Sequence, residues 1–253
     1  MAAPIMTIRD VSKAFGGIQA VDGCTFDVSP RVITGLIGPN GAGKTTVFNV
    51  ITGFLRPDSG SIRFKDEELL GLAPHQVERR GVARTFQHLR LWGTMTVLEN
   101  VLLGCRTPMG ENVWSLFVRP RRVRAEEAAA RRRALEVLEF FGLAGRAEDL
   151  AEDLAYPEQK LLSMARIFAT DAEILLLDEP TSGLDTDSLH KIVPMVRRLV
   201  EHGKTVLLIE HNMELISQLS DEVVFLHQGR VMARGAADAI TRDPALTEIY
   251  FGV

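Results

Sequence analysis

The stretch GPNGAGKTT, Gly38 to Thr46, decides the fold. It fits the phosphate-binding pattern G-x-x-x-x-G-K-[ST], with Gly38, Gly43, Lys44 and Thr45 in the fixed places and Pro39, Asn40, Gly41 and Ala42 between them. The apolar run 32–37 precedes it and the helix-like run 46–51 follows, which is the strand–loop–helix setting the pattern requires. Glycines let successive backbone N–H groups turn towards one anion, and the helix start adds the positive end of its dipole. Lys44 is expected to reach the β- and γ-phosphates, and the Thr45 hydroxyl to ligate Mg²⁺. The chain reads as a binder of a nucleoside triphosphate.

Around this loop the composition is ordinary. Of 253 residues, 46% are hydrophobic and 25% charged, which suits a globular protein with a substantial core. A net charge of −4 argues against a general nucleic-acid binder. Cys24 and Cys105 are too few for a disulfide framework and suit a reducing compartment. The opening MAAPIMTIRD lacks the apolar core of an export signal, and no apolar run approaches the ~18 residues of a membrane span. Any contact with a membrane is therefore expected through a partner or through the protein's surface.

Strand-like apolar runs at 174–177, 206–209 and 222–226 alternate with helical segments, the pattern of a parallel sheet covered by helices. The expected fold is α/β: a P-loop nucleotide-binding core over about 1–87 and 170–253, and a helical subdomain over about 88–169. An antiparallel β subdomain is expected from the first 35 residues and the strand near 60–66. A short strand is expected at 82–86, and a Pro/Gly-bearing excursion at 107–120.

A second chemical feature lies more than a hundred residues after the loop. ILLLDEP, Ile174 to Pro180, is a buried-looking strand that delivers two carboxylates to its carboxyl edge, where parallel sheets bind ligands. Asp178 suits the Mg²⁺ shell, and Glu179 suits a general base for the attacking water. His211 follows another apolar strand; it either donates to a γ-phosphate or is a structural histidine. Gln87 closes the strand ending in Phe86, where its amide could contact both metal and water. Phe15 either stacks on a purine or belongs to the core.

The succession of these parts, together with TFQ, LAYPEQK, SGLD and IEH, resembles the ATP-binding cassette (ABC) ATPase family over essentially the whole chain. That resemblance implies ATP as the nucleotide, Phe15 as the adenine-stacking residue, Gln87 as the Q-loop glutamine and His211 as the switch histidine. It also implies Asp185 as the D-loop aspartate and the segment from Leu154 as the signature motif. KAFGG at 13–17, RTFQHLRLW at 84–92, LLIEHNM at 207–213 and IYFG at 249–252 are similar to the LivG-type ATPase subunit of branched-chain amino acid importers. Related importers for urea, amides or aromatic acids carry similar cassettes. The resemblance implies a second ABC ATPase subunit, identical or different, transmembrane permease subunits and an extracytoplasmic solute-binding protein. Peripheral attachment at the cytoplasmic membrane face follows from it, and no nucleic acid is expected. A non-transport ABC ATPase usually has two cassettes in one chain or a long coiled coil, and neither is present. The NKxD motif of a GTPase is also absent.

The signature departs from its family. Where the family reads LSGGQ or LAYGQ, this chain has Leu154, Ala155, Tyr156, Pro157 and Glu158. Pro157 lacks the N–H that a glycine would offer a phosphate, and Glu158 sets a carboxylate where a triphosphate is expected. Either the change is neutral, or the site completed by this signature is slow while the chain's own phosphate loop hydrolyses normally. Leu89, Leu91, Trp92 and Met95 suit either a groove for a membrane subunit or core packing. The arginines at 119–133 suit a solvated helix or contact with anionic headgroups.

Overall fold

Residues 33–37, 174–178 and 205–209 are buried along their whole length, as parallel strands covered on both faces must be. The computed structural model describes residues 3–105 and 120–251. The excursion expected at 107–120 lies outside the described residues except for Pro120, as do Arg119 and Gly252. The chain forms two compact units, Met1–Gln87 with Glu173–Val253, and His88–Ala172.

The first unit opens with β1 (Met6–Phe15), β2 (Ile18–Val28), β3 (Ile33–Ile37), α1 (Lys44–Ile51), β4 (Ser59–Phe64), β5 (Glu67–Glu68), α2 (Pro74–Arg80) and β6 (Val82–Arg84). The second unit carries α3 (Val97–Leu102), α4 (Pro120–Phe140) and α5 (Tyr156–Phe168). The chain then re-enters the first unit with β7 (Ile174–Asp178), α6 (Thr186–Glu201), β8 (Thr205–Ile209) and α7 (Met213–Leu219). It closes with β9 (Glu222–His227), β10 (Arg230–Ala236), α8 (Ala237–Thr241) and α9 (Pro244–Phe251).

Two sheets build the first unit. One has the order β2-β1-β4-β5 and is antiparallel throughout. The other has the order β10-β9-β3-β8-β7-β6, with β9, β3, β8, β7 and β6 parallel and β10 antiparallel at the edge. A continuous apolar core joins them: Ile8 and Val11 of one sheet, Phe48 and Ile51 of α1, and Leu176, Leu207 and Val224 of the other. The β9–β10 hairpin is not evident in the apolar runs. Its signal is the pair Gln228–Gly229, both at positive φ (47° and 79°), which makes the two-residue turn that suits twisted strands. The strand expected over 82–86 ends at Arg84, although Thr85 still donates to the carbonyl of Leu176 at 2.9 Å.

In the second unit, Thr96 caps α3 reciprocally with Glu99. The buried Asn100 side chain bonds both the N–H and the carbonyl of Trp92 at 3.0 Å, which fixes the loop before the helix. Phe168 of α5 stacks on Phe140 at 5.0 Å and meets Phe141 edge-on at 5.7 Å, so α4 and α5 share an aromatic core. Among the described residues no helix is long and apolar enough to cross a membrane.

Candidate functional site

Strand order lines up the chemistry. The carboxyl ends of β3, β8, β7 and β6 are consecutive neighbours, so the phosphate loop, His211, the Asp178–Glu179 pair and the segment to Gln87 emerge along one sheet edge. Hydrophobic patterning places each strand, and the polar groups lie at or within three residues of the strand ends: Asp178 closes β7 with Glu179 next, His211 is two residues past β8 and Gln87 three past β6.

The loop between β3 and α1 turns through Gly38, Gly41 and Gly43, at φ 149°, 79° and 102°. At Gly38 a Cβ would lie 1.9 Å from the carbonyl oxygen of Leu226, and at Gly43 it would lie 2.3 Å from that of Ala20. Only glycine fits at these two positions. Gly229 in the β9–β10 turn donates to the carbonyl of Ala42 at 3.0 Å and so braces the loop from outside. Lys44 Nζ donates to the carbonyls of Gly38 (2.6 Å) and Pro39 (2.9 Å), which wraps the loop around its ammonium. Burial lowers the Lys44 pKa, while the nearby charges of Glu179 and Asp178 oppose that shift. Helix α1 has no acidic residue in its first turn, so the N–H groups and dipole at its start remain available to an anion. Asn40 to Thr46, Ala20, Glu179 and His211 line a cleft of about 250 Å³.

Glu179 is held across this cleft. Its backbone takes the left-handed conformation, φ 49°, an uncommon state for a residue with a Cβ. Gln87 Nε2 donates to one carboxylate oxygen at 3.0 Å, and His211 Nε2 lies 2.5 Å from the other. Three residues singled out from sequence thus meet at one carboxylate. Asp178 lies deeper, its side chain 4% exposed, in an ion pair of 2.6 Å with Arg84, which is equally buried. Arg84 also donates to Asn49 Oδ1 at 2.6 Å and packs over the rings of Phe48 and Phe86. Sequence reading passed over Arg84; the available signal was an arginine in an otherwise apolar strand.

Glu210 was also missed. It is 3% exposed, and one oxygen accepts both the N–H (2.9 Å) and the hydroxyl (2.6 Å) of Thr181. The other oxygen accepts the N–H of His211 at 3.3 Å. Burial raises its pKa against those hydrogen bonds. Its signal was a carboxylate directly before the histidine at a strand end.

The remaining expectations are placed as follows. Phe15 closes β1 and is 48% exposed, so it lies outside the core, with the Lys13 ammonium 5.7 Å from its ring centre. Asp185 caps α6 and accepts from the N–H of Ser188 at 2.8 Å; the hydrogen bonding to Ser188 holds its carboxyl below the usual range. In the second unit, Leu154 precedes the helix, Ala155 is the N-cap of α5 and Pro157 is its second residue, where proline is tolerated. Tyr156 is 43% exposed, and the Leu154 carbonyl accepts from Gln159. Glu158 turns back along the helix: it accepts from the N–H of Ala155 at 3.1 Å and pairs with Arg146 at 3.2 Å. Its charge is therefore spent within its own unit.

The sequence and the fold both have close counterparts. The family model described as ABC transporter matches residues 21–182. The chain is 39% identical over 255 residues to the high-affinity branched-chain amino acid transport ATP-binding protein LivG of Escherichia coli, covering 100% of this chain and 99% of that protein. It is 40% identical, with the same coverage, to the BraF protein of Pseudomonas aeruginosa, which bears the same description. Among solved structures, a nucleotide-free ATP-binding cassette from an ABC transporter aligns with a TM-score of 0.84 at 31% identity, over 98% of this chain and 99% of that one. A cassette in its ADP conformation aligns with a TM-score of 0.84 at 30% identity over the full length of both.

Proposed function

The chain belongs to the ABC transporter family, and on that premise we propose that it energises an importer of branched-chain amino acids from the cytoplasmic face of the membrane. It is an ATPase of α/β P-loop architecture. The observation that carries the reading is the meeting of Gln87 and His211 on the Glu179 carboxylate, beside the phosphate loop.

In this reading the loop amides and Lys44 bind the β- and γ-phosphates. Glu179 takes the proton of the attacking water as its oxygen bonds the γ-phosphorus and ADP leaves. Gln87 and His211 hold that carboxylate and the water in line, and Phe15, exposed on the same unit as the loop, stacks on the adenine. The donor set fits Mg²⁺: the Thr45 hydroxyl, Asp178 Oδ1 (Oδ2 being taken by Arg84) and the Gln87 carbonyl are hard oxygens. When bound, the ion neutralises charge on the β- and γ-oxygens.

The signature at Leu154–Glu158 and Asp185 would face the nucleotide of a second cassette. Permease subunits would supply the membrane path, and an extracytoplasmic binding protein the solute. The test is uptake of leucine, isoleucine or valine by the assembled complex in proteoliposomes, with Glu179→Gln as control. The reading expects ATP-driven uptake that Glu179→Gln abolishes while ATP still binds. Uptake of urea, an amide or an aromatic acid instead would overturn the solute. ATPase activity that survives Glu179→Gln would overturn the catalytic role.

A further inference from the structure

His211 is gripped by its main chain. Its N–H is held by Glu210, as above, and its carbonyl accepts a hydrogen bond from the Tyr250 hydroxyl at 2.6 Å. Tyr250 comes from α9, 39 residues further along the chain. Its ring meets Phe225 edge-on, with centroids 6.3 Å apart. Phe225 is fully buried on β9 and pairs in register with Ile37, the last residue before the phosphate loop.

We propose that Tyr250 is a positioning residue for ATP hydrolysis, fixing the main chain of His211 so that the imidazole stays on Glu179. The inference rests on the reading of Glu179 and His211 as the hydrolytic pair. The imidazole is 41% exposed, so side-chain packing alone holds it weakly. What aims it is the backbone from which it springs, and both polar groups of that backbone are tied down. Through Phe225 the tie is referenced to the strand beside β3, so His211 and the phosphate loop share one frame. A phenol is suited to this task. It donates to a carbonyl, and burial together with the Glu210 charge raises its pKa, so the proton stays in place at neutral pH. Tyr250 itself does not reach the reacting atoms.

The test is Tyr250→Phe in the full chain assembled with its partner subunits. The ring and its packing on Phe225 remain, and only the hydroxyl is lost. The expected result is a kcat about fivefold lower, the scale of one neutral hydrogen bond, with KM for ATP and thermal stability unchanged. In a His211→Ala background, Tyr250→Phe should cause no further loss, because the group it positions is gone. Unchanged kcat in the single variant would overturn the proposal. So would a fall that persists undiminished in the His211→Ala background, or one matched by a rise in KM and a loss of stability. If His211→Ala alone leaves turnover intact, the hydrolytic reading itself fails, which is a separate result from the same experiment.

Discussion

Arg84 and Asp178 form an ion pair of 2.6 Å in which each side chain is only 4% exposed. Neighbouring strands β6 and β7 supply the two side chains, with Arg84 in register with Leu176 and Asp178 two residues beyond it. Such a pair adds little net stability against an apolar replacement, but leaving one partner alone is costly. Arg84→Met should therefore lower unfolding free energy by about 3–5 kcal/mol in urea titrations. Arg84→Met combined with Asp178→Leu should recover most of that loss. Equal destabilisation by the single and double variants would show that charge pairing is not the cause.

Within the phosphate loop the glycines are not equivalent. A Cβ at Gly43 would meet the Ala20 carbonyl oxygen at 2.3 Å, whereas one at Gly41 meets nothing within 4 Å. Gly43→Ala should weaken ATP binding at least about tenfold, since the backbone must shift where phosphate docks. Gly41→Ala bears only the left-handed strain, about 1 kcal/mol, and should bind far better. Titration with a fluorescent ATP analogue separates the two, and similar affinities would refute the steric argument.

Cys24 is fully buried, and burial pushes its thiol up to about 12 from 9.0. The folded state keeps its proton where the unfolded chain would lose it. The sign follows: this contribution is intact below pH 9 and is lost as pH climbs from 9 towards 12. The full swing is about 4 kcal/mol, three pKa units at 1.36 kcal/mol each. Cys24→Ala should flatten the alkaline fall in stability between roughly pH 9 and 11. Native protein at pH 8 should also show no labelling of Cys24 by a thiol reagent until it is unfolded.

Pro157 and Glu158 permit a test of the unusual signature. Glu158 is engaged by Arg146 and by the N–H of Ala155, and a glutamine can serve the same cap. Glu158→Gln alone should change stability by less than about 1 kcal/mol. Adding Pro157→Gly restores a backbone donor, and ATPase of the assembled complex should rise at least about threefold. No change in turnover or in ATP occlusion would show that the departure is neutral.

Much of this was legible in the chain because it depends on local pattern. The loop glycines, the apolar strand ending in Asp178–Glu179 and the strand before His211 each announce themselves within a few residues. Strand order follows less directly, since it depends on which buried runs pair across more than a hundred positions. The roles of Arg84, Glu210 and Tyr250 are hard to read for the same reason, even where, as at Arg84 and Glu210, a charge at a strand end marks the position. Each is defined by a partner far away in sequence: Asp178, Thr181 and His211 respectively. The β9–β10 hairpin escaped because β10 alternates exposed and half-buried residues with no apolar run to mark it.

Gln87 is both the donor to Glu179 and the last residue of the first unit, with His88 opening the second. The carboxylate proposed to activate water is thereby moored to the seam in the covalent chain. The 3.0 Å hydrogen bond that holds it therefore comes from the very residue where the chain leaves the first unit. The proposed base and the boundary between the units are one amide side chain apart.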